Sequence, residues 1–232
     1  MGFVFAPQCG RIAPVTNTIA FFDMDRTILT DSSGLLYMRY LWKTGGTNRR
    51  SMLRAYWYAA LYKLGLFDYP VIAAKLASTI SDDSEAAGLA FCQRWFEDLA
   101  IHYIAAGAVQ RIAEHRSQGH LVAIISASTR YIVGPVAAYL GIEEYLCTHL
   151  EVRGGRFTGR IIDPPCFGPG KVIWAQRHAR QHHADLSDAY FYSDSYTDRD
   201  LLELVGHPVA VNPDPRLRLL ANNNGWPIER FY

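Results

Sequence analysis

The chain has 232 residues, of which 50% are hydrophobic and 19% are charged, a composition typical of a folded globular protein. Its formal net charge is +1, so no overall electrostatic field would recruit nucleic acid or an anionic membrane. The four cysteines form no C-x-x-C pair, which argues against a zinc knuckle and a secreted disulfide framework and indicates a reducing, cytoplasmic compartment.

The apolar runs predict buried strands, and each strand ends on polar residues. Residues 1–16 contain two prolines and no compact apolar run, so we expect them to form a loose leader outside the core. The first predicted strand runs from Ile19 to Phe22 and ends on Asp23. Three more strands are predicted: Leu121 to Ile125 before Ser126, Ala189 to Tyr192 before Ser193 and Asp194, and Pro208 to Val211 before Asn212.

Helical patterns alternate with these strands. They cover roughly Ala108 to Gln118, Tyr131 to Leu140, Lys171 to His183, and Asp198 to Val205. Alternation of this kind predicts an α/β fold, a Rossmann-like doubly wound parallel sheet with helices on its faces. Because such sheets bind ligands outside the carboxyl ends of their strands, the polar strand ends are where a site is expected.

One long segment, residues 32–107, breaks the alternation. It has helical periodicity without a convincing strand, so we predict an inserted helical cap between core segments 17–31 and 108–232. A short β-hairpin is predicted from Glu151 to Arg160, with Gly154-Gly155 as its two-residue turn.

Asp23 and Asp25 place two carboxylates two residues apart, just past the first strand. Such a pair suits phosphoryl transfer, because one carboxylate can attack while the other protonates the leaving alkoxide and then activates water. On its own the pair is weak evidence, since many surface turns contain two nearby aspartates.

Other strand ends and one helix start offer groups that would complete such a site. Asp194 and Asp198 add oxygen ligands of the kind that Mg²⁺ requires, although Asp198 could equally begin the following helix. Ser126 could donate its hydroxyl to a phosphate oxygen, helped by backbone N–H groups at the next helix start. Lys171 could neutralise charge on a transferred phosphoryl group, although a solitary lysine is usually solvated.

Taken in order, these motifs resemble those of the haloacid dehalogenase superfamily, in the subfamily IB branch that carries a helical C1 cap and includes phosphoserine phosphatases. The resemblance rests on Asp23-Met24-Asp25-Arg26-Thr27, Ser126, Lys171 and Ser193-Asp194-Ser195, continuing to Val209-Ala210-Val211-Asn212-Pro213-Asp214. It implies a Mg²⁺-dependent phosphomonoester hydrolase that forms an aspartyl-phosphate intermediate.

The resemblance also implies a role for each site residue. Asp23 would be the nucleophile and Asp25 the general acid and base, and both would bind Mg²⁺ together with Asp194. Lys171 would be a catalytic group that also holds the phosphoryl oxygens. The remaining phosphate-binding residues would be Ser126, Ala127 and Thr27, and Asp198 would orient Lys171 or metal-bound water.

Three departures from the family pattern bear on loop shape and substrate. Arg26 stands where many relatives have glycine, and Ser193 and Ser195 replace the common glycines around the third aspartate. Ser32 occupies the position of a glutamate that pairs with the substrate's amino group in phosphoserine phosphatases. The general chemistry is untouched, but a phosphoserine substrate does not follow.

The expected substrate is a small phosphomonoester of the phosphoserine or histidinol phosphate type. Residues 32–70 contain six basic residues, one acidic residue and nine aromatics, which is typical of a small folded cap with a solvated face. The same mixture fits a membrane surface, so a lysophospholipid or phosphatidylglycerol-phosphate phosphatase is an alternative. A catalytically silent phosphate sensor and a phosphotransferase are further alternatives, nucleic acid is not an expected partner, and the oligomeric state is left open.

His178 and His182 have the i, i+4 spacing that can chelate a metal on a helix. Because no third ligand lies nearby in the sequence, we interpret them, with His183, as part of a solvated helix face.

Overall fold

The computed structural model describes residues 17–54, 57 and 69–232. The predicted leader, residues 1–16, lies outside the described residues, as do residues 55, 56 and 58–68 of the predicted cap. In the described part of the chain, no helix combines the length and the apolar character needed to cross a membrane.

A seven-stranded sheet is the centre of the described structure, in the order β4-β3-β2-β1-β5-β6-β7. The strands are β1 (Ile19–Phe22), β2 (Leu121–Thr129), β3 (Glu144–Arg153), β4 (Arg156–Ile162), β5 (Tyr190–Ser193), β6 (His207–Val211) and β7 (Ile228–Glu229). Neighbouring strands are parallel except for the antiparallel pair β3 and β4. The predicted doubly wound α/β sheet is confirmed, and its direction of winding reverses at β1, where such folds bind ligands.

Helices cover both faces of this sheet. They are α1 (Ser33–Lys43), α2 (Tyr69–Ser78), α3 (Glu85–Asp98), α4 (Ala106–Ser117), α5 (Arg130–Leu140), α6 (Pro169–Gln181), α7 (Arg199–Leu202) and α8 (Pro215–Asn224). Residues 49–54 are also helical. α6 and α8 both begin with proline, whose fixed φ suits the first helical position and whose missing N–H costs nothing there.

Several predicted boundaries are wrong. β2 continues to Thr129, beyond the predicted end at Ile125, because its pairing with β3 resumes after an irregularity between Ser126 and Thr129. The helix predicted to end at Val205 ends at Leu202. β7, α8 and the part of β3 before Glu151 were not predicted.

Alternate residues of β1 separate two hydrophobic clusters, one on each face of the sheet. Ala20 and Phe22 point into a cluster with residues of α1, α3, α4 and α5. Ile19 and Phe21 point into a second cluster with residues of α6, α7 and α8. Because successive strand side chains face opposite sides, β1 is buried on both faces, which is typical of a central parallel strand.

The segment after β1 and the segment before α4 lie side by side. Leu29 and Ile104 form an antiparallel bridge. Beside it, the N–H of Thr30 donates to the Tyr103 carbonyl at 2.8 Å, and that of Ala105 donates to the Ile28 carbonyl at 2.8 Å. The segment after β1 and the segment before α4 are therefore joined by backbone hydrogen bonds.

The hairpin formed by β3 and β4 contacts the loop that precedes α3. Gly154 and Gly155 both have positive φ, 57° and 74°, as the predicted two-residue turn requires. On β4, Phe157 exchanges backbone hydrogen bonds with Asp82 (2.8 Å) and Asp83 (3.0 Å), and its ring is buried against Cys92 of α3. The loop before α3 is thus fastened to the hairpin.

Candidate active site

A buried lysine and two aspartates form the centre of the candidate site. Lys171 Nζ donates to Asp23 Oδ1 at 2.7 Å and to Asp198 Oδ2 at 2.7 Å. Lys171 is only 2% exposed, and both carboxylates are also buried. Burial lowers the pKa of Lys171, but the charges of Asp198 and Asp23 outweigh it and raise the pKa, so this lysine stays protonated.

The position of Lys171 depends on the tight loop before α6. A cation in the first turn of a helix opposes the helix dipole, so the two carboxylates must offset this effect. A Cβ at Gly170 would lie 2.0 Å from the carbonyl oxygen of Pro165, so only glycine fits there. Ser193 Oγ donates to the same Asp198 oxygen at 2.7 Å and holds it towards Lys171.

The loop after β1 turns Asp25 back towards α1. Asp25 Oδ1 accepts a hydrogen bond from the Ser33 N–H at 2.8 Å, and Arg26 has a φ of 55°, a left-handed conformation that glycine adopts without strain. Removal from water raises the pKa of Asp25, against the effect of the Ser33 hydrogen bond.

Asp194 is the third buried carboxylate at this edge of the sheet. Its loop is held by Asp214, whose N–H donates to the Asp194 carbonyl at 2.8 Å and whose carboxylate accepts from the Tyr196 N–H at 2.8 Å. Burial, and next the charge of Asp23, raise the pKa of Asp194 well above its ordinary value. Burial likewise raises the pKa of Asp23 to about 7, with Lys171 opposing it.

These carboxylates suit a divalent cation. The charge of Asp25 raises the pKa of both Asp23 and Asp194, and the charge of Asp23 raises the pKa of Asp194, so these negative charges repel one another. A cation between them would offset that repulsion, and a set of oxygen donors matches the preference of Mg²⁺. The residues present therefore fit a magnesium ion.

The predicted phosphate-binding residues lie around the same strand ends. Ser126 is buried in β2, next to Ala127, and its Oγ accepts the Ser128 N–H at 3.2 Å. Thr27 is completely buried, and its Oγ1 has no hydrogen-bond partner among the described residues. Ser126 and Ala127 therefore belong to the strand adjacent to β1, whereas the Thr27 hydroxyl is closed off from the solvent.

Sequence reasoning assigned no positioning role to three residues that hold the side chains of this site. Ser33 donates its N–H to Asp25, and its hydroxyl lies 2.8 Å from that of Ser128. Ser193 donates to Asp198, and Asp214 holds the loop that carries Asp194. Asp214 could have been recognised, because an aspartate directly before Pro215 is a strong helix-start signal. The contacts of Ser33 and Ser193 carry no such local signal.

The chain belongs to the haloacid dehalogenase-like hydrolase family, whose model matches residues 20–203. It is 33% identical to a probable phosphatase of Mycobacterium tuberculosis over 225 residues, 96% of this chain and 78% of the relative. It is 32% identical to a phosphoserine phosphatase of the same organism, over 98% of this chain and 76% of the relative. It is 28% identical to a histidinol-phosphatase of Neisseria meningitidis, over 92% of this chain and 98% of the relative. The predicted family and enzyme class are confirmed.

Solved structures show the same fold. A protein of unknown function from Bordetella pertussis has a TM-score of 0.85 and 29% identity, with 94% of this chain and 100% of that chain covered. A phosphoserine phosphatase described as a phospho-aspartyl intermediate analogue has a TM-score of 0.70 and 17% identity, with 94% of each chain covered.

Proposed function

We propose that the protein is a Mg²⁺-dependent phosphomonoester hydrolase that transfers the phosphoryl group to Asp23 and then to water. The observation that carries this proposal is the buried ion pair of Lys171 with Asp23 and Asp198 at the point where the sheet reverses direction. An ion pair so deeply buried is costly to build and is commonly found at functional sites.

The reaction needs a nucleophile, an acid and a cation, and the site provides all three. The Asp23 carboxylate attacks phosphorus, the bond to the leaving alkoxide breaks, and Asp25 donates its proton to that oxygen. Water then attacks the phosphorus of the aspartyl-phosphate, Asp25 takes the water's proton, and phosphate and free Asp23 are released. The raised pKa of Asp25 suits it to carry the proton in both steps.

Lys171 would stay close to the phosphoryl oxygens throughout, with Asp198 and Ser193 fixing its position. Ser126 and the backbone at Ala127 would hold the same oxygens, with Thr27 supporting the loop. Asp23, Asp25 (through its backbone carbonyl) and Asp194 would bind Mg²⁺, which supplies positive charge to offset the negative charge of the transferred group.

We further propose that residues 32–107 are a cap over a core of residues 17–31 and 108–232. The backbone bridge between Leu29 and Ile104 supports a boundary near these residues. From the cap side, Ser33 contacts both Asp25 and Ser128, so the start of α1 lies directly against the loop that carries the proposed general acid. A cap in this position would exclude water and select the leaving group.

A small phosphorylated metabolite is the substrate class that this arrangement favours. Phosphoserine and histidinol phosphate both carry an amino group, and the relatives named above include phosphatases for each. Ser32 offers no carboxylate for that group, and Asp31 beside it is already paired with Arg39 at 2.9 Å. Recognition of an amino group at this position would therefore require that ion pair to open.

The experiment is phosphate release from phosphoserine, histidinol phosphate, sugar phosphates and lysophosphatidate, each with Mg²⁺ or EDTA. Asp23→Asn tests the nucleophile, and Asp188→Asn, at an exposed aspartate, is the matched control. We expect Mg²⁺-dependent release that only Asp23→Asn abolishes, and the best substrate would define the specificity. Release unchanged in Asp23→Asn would disprove the nucleophile, and phosphate binding without turnover on any substrate would favour the sensor.

A second candidate function, a phosphatase of lysophospholipids, is favoured by the exposed side chains of the described residues between Trp42 and Trp57. Trp42, Leu53 and Trp57 are 48%, 70% and 62% exposed, and several neighbouring cationic side chains are exposed as well: Lys43, Arg49, Arg50 and Arg54. Exposed aromatic and basic side chains together suit an anionic membrane surface. Flotation with anionic liposomes tests this, with Trp42→Ser expected to weaken binding and Leu219→Ser, at an exposed leucine elsewhere, expected to leave it unchanged.

A further inference from the structure

Two histidines and a glutamate meet at the edge of the sheet opposite the catalytic residues. Glu144 is the first residue of β3, and His178 and His182 lie at the end of α6 and just beyond it. One ligand atom from each side chain lies within 4.8 Å of the other two, and the two imidazole rings are 4.4 Å apart between centroids. These separations are compatible with one metal ion bound by all three.

His178 is the residue that most needs a partner at this place. It is 2% exposed, and its Nε2 atom makes no hydrogen bond to any described residue. The expectation that it belongs to a solvated helix face is therefore wrong. A buried polar atom without a partner costs free energy, so an unpaired imidazole nitrogen beside two further ligand groups needs a physical explanation.

This cluster is separate from the proposed catalytic site. Lys171 begins α6 near Asp23, and His178 lies two turns further along the same helix, about 10 Å away along its axis. Glu144 pairs with Ala123, near the start of β2, whereas Asp23 and Ser126 lie towards the carboxyl ends of their strands. An ion here would not share ligands with the catalytic carboxylates.

We propose that Glu144, His178 and His182 bind a divalent ion of the zinc class, with Nε2 as the ligand atom of His178. Two imidazoles and one carboxylate form a donor set that suits Zn²⁺ and related transition ions, whereas Mg²⁺ prefers oxygen ligands only. The ion ties the end of α6 to the start of β3 and stabilises their packing.

The chain offers a matched control for Glu144, which is exposed, and for His182, which is partly buried. Glu143 and His183 are exposed and lie next to Glu144 and His182 without belonging to the cluster. The paired variants are Glu144→Gln with Glu143→Gln, and His182→Asn with His183→Asn, because asparagine tolerates the φ of 53° at His183. Neither ligand variant changes the buried His178, so all four proteins are expected to fold.

Zinc binding is measured by equilibrium dialysis with elemental analysis and by the shift of the melting temperature with Zn²⁺. The wild type, Glu143→Gln and His183→Asn are expected to bind one ion at this site and to melt at a higher temperature with it. His182→Asn and Glu144→Gln are expected to bind that ion at least about tenfold more weakly, which corresponds to about 1.4 kcal/mol. Equal affinity in each matched pair would overturn the proposal.

A second measurement separates this ion from any bound by the catalytic carboxylates. Co²⁺ can replace Zn²⁺, and its visible absorption depends on its ligands. We expect the Asp194→Asn protein to show the absorption of Co²⁺ bound by nitrogen ligands, and the His182→Asn protein to lack it. If Asp194→Asn abolished the spectrum and His182→Asn kept it, the ion would belong to the catalytic site and the proposal would be wrong. This outcome does not depend on whether the protein turns over a phosphate ester.

Discussion

Replacing Lys171 by methionine tests the centre of the proposed mechanism. The change keeps an unbranched side chain of similar length but removes the cation that lies 2.7 Å from both Asp23 and Asp198. Loss of one positioned donor to a developing negative charge typically costs about 10² to 10³ in kcat, or about 3 to 4 kcal/mol. We expect a loss of this size in Mg²⁺-dependent phosphate release, with Lys75→Met, at an exposed lysine, as the matched control.

The same variant makes a second prediction about stability and pH. The pKa of Asp23 is already raised to about 7 by burial while Lys171 lowers it, so without the lysine it rises further. When the pKa of an acid is raised in the folded state, the protein loses stability as the pH rises from the unfolded-state pKa to the folded-state pKa, because the unfolded chain ionises more easily. The destabilisation of Lys171→Met should therefore be larger at pH 8, about 3 kcal/mol for an unpaired buried charge, than at pH 5.5.

Urea unfolding of both lysine variants at pH 5.5 and pH 8, beside steady-state kinetics, measures these effects. A Lys171→Met protein that kept more than about a tenth of the wild-type kcat would refute the proposed role of Lys171 in the transition state. A stability loss of equal size at both pH values would show that Asp23 does not carry the charge that Lys171 neutralises.

Three further predictions concern the surroundings of the site and the core. Ser193→Ala should reduce kcat through Asp198 while leaving KM nearly unchanged, and a rise in KM alone would contradict a positioning role. Gly170→Ala should destabilise the protein by several kcal/mol in urea unfolding, because the new Cβ meets the Pro165 carbonyl oxygen, and an unchanged midpoint would contradict this contact. Burial lowers the pKa of His115 to about 4, so on acidification the unfolded chain takes up a proton at this residue before the folded protein does, and His115 should lower the wild-type stability by about 2 kcal/mol between pH 7 and pH 5. His115→Gln should lack this part of the pH dependence, and the same dependence of stability on pH in both proteins would disprove it.

The sequence predicted the core of the fold well, because local patterns decide it. The run Ile19–Phe22 is apolar at every position, and the structure gives a strand with these same bounds that is buried on both faces. The glycine pair at 154–155 predicted a hairpin turn, since both residues must adopt positive φ. The strand ends also placed Asp23 and Asp194 at one edge of the sheet before any contact was known.

Tertiary structure decided what local patterns do not contain. β2 extends past Ile125 because it pairs with β3, and no signal in β2 itself specifies that neighbour. Ser33 lies against Asp25, and Ser193 against Asp198, only because the loops after β1 and β5 turn towards those carboxylates.

The histidines of α6 show the difference most clearly. The i, i+4 spacing of His178 and His182 is written in the sequence, but it fits both a solvated face and a metal site. The third member of the cluster, Glu144, lies on β3, and the packing of α6 against the sheet brings it close to the two histidines. Periodicity therefore determined which residues lie on one helix, whereas the fold alone determined which of them are buried and what they face.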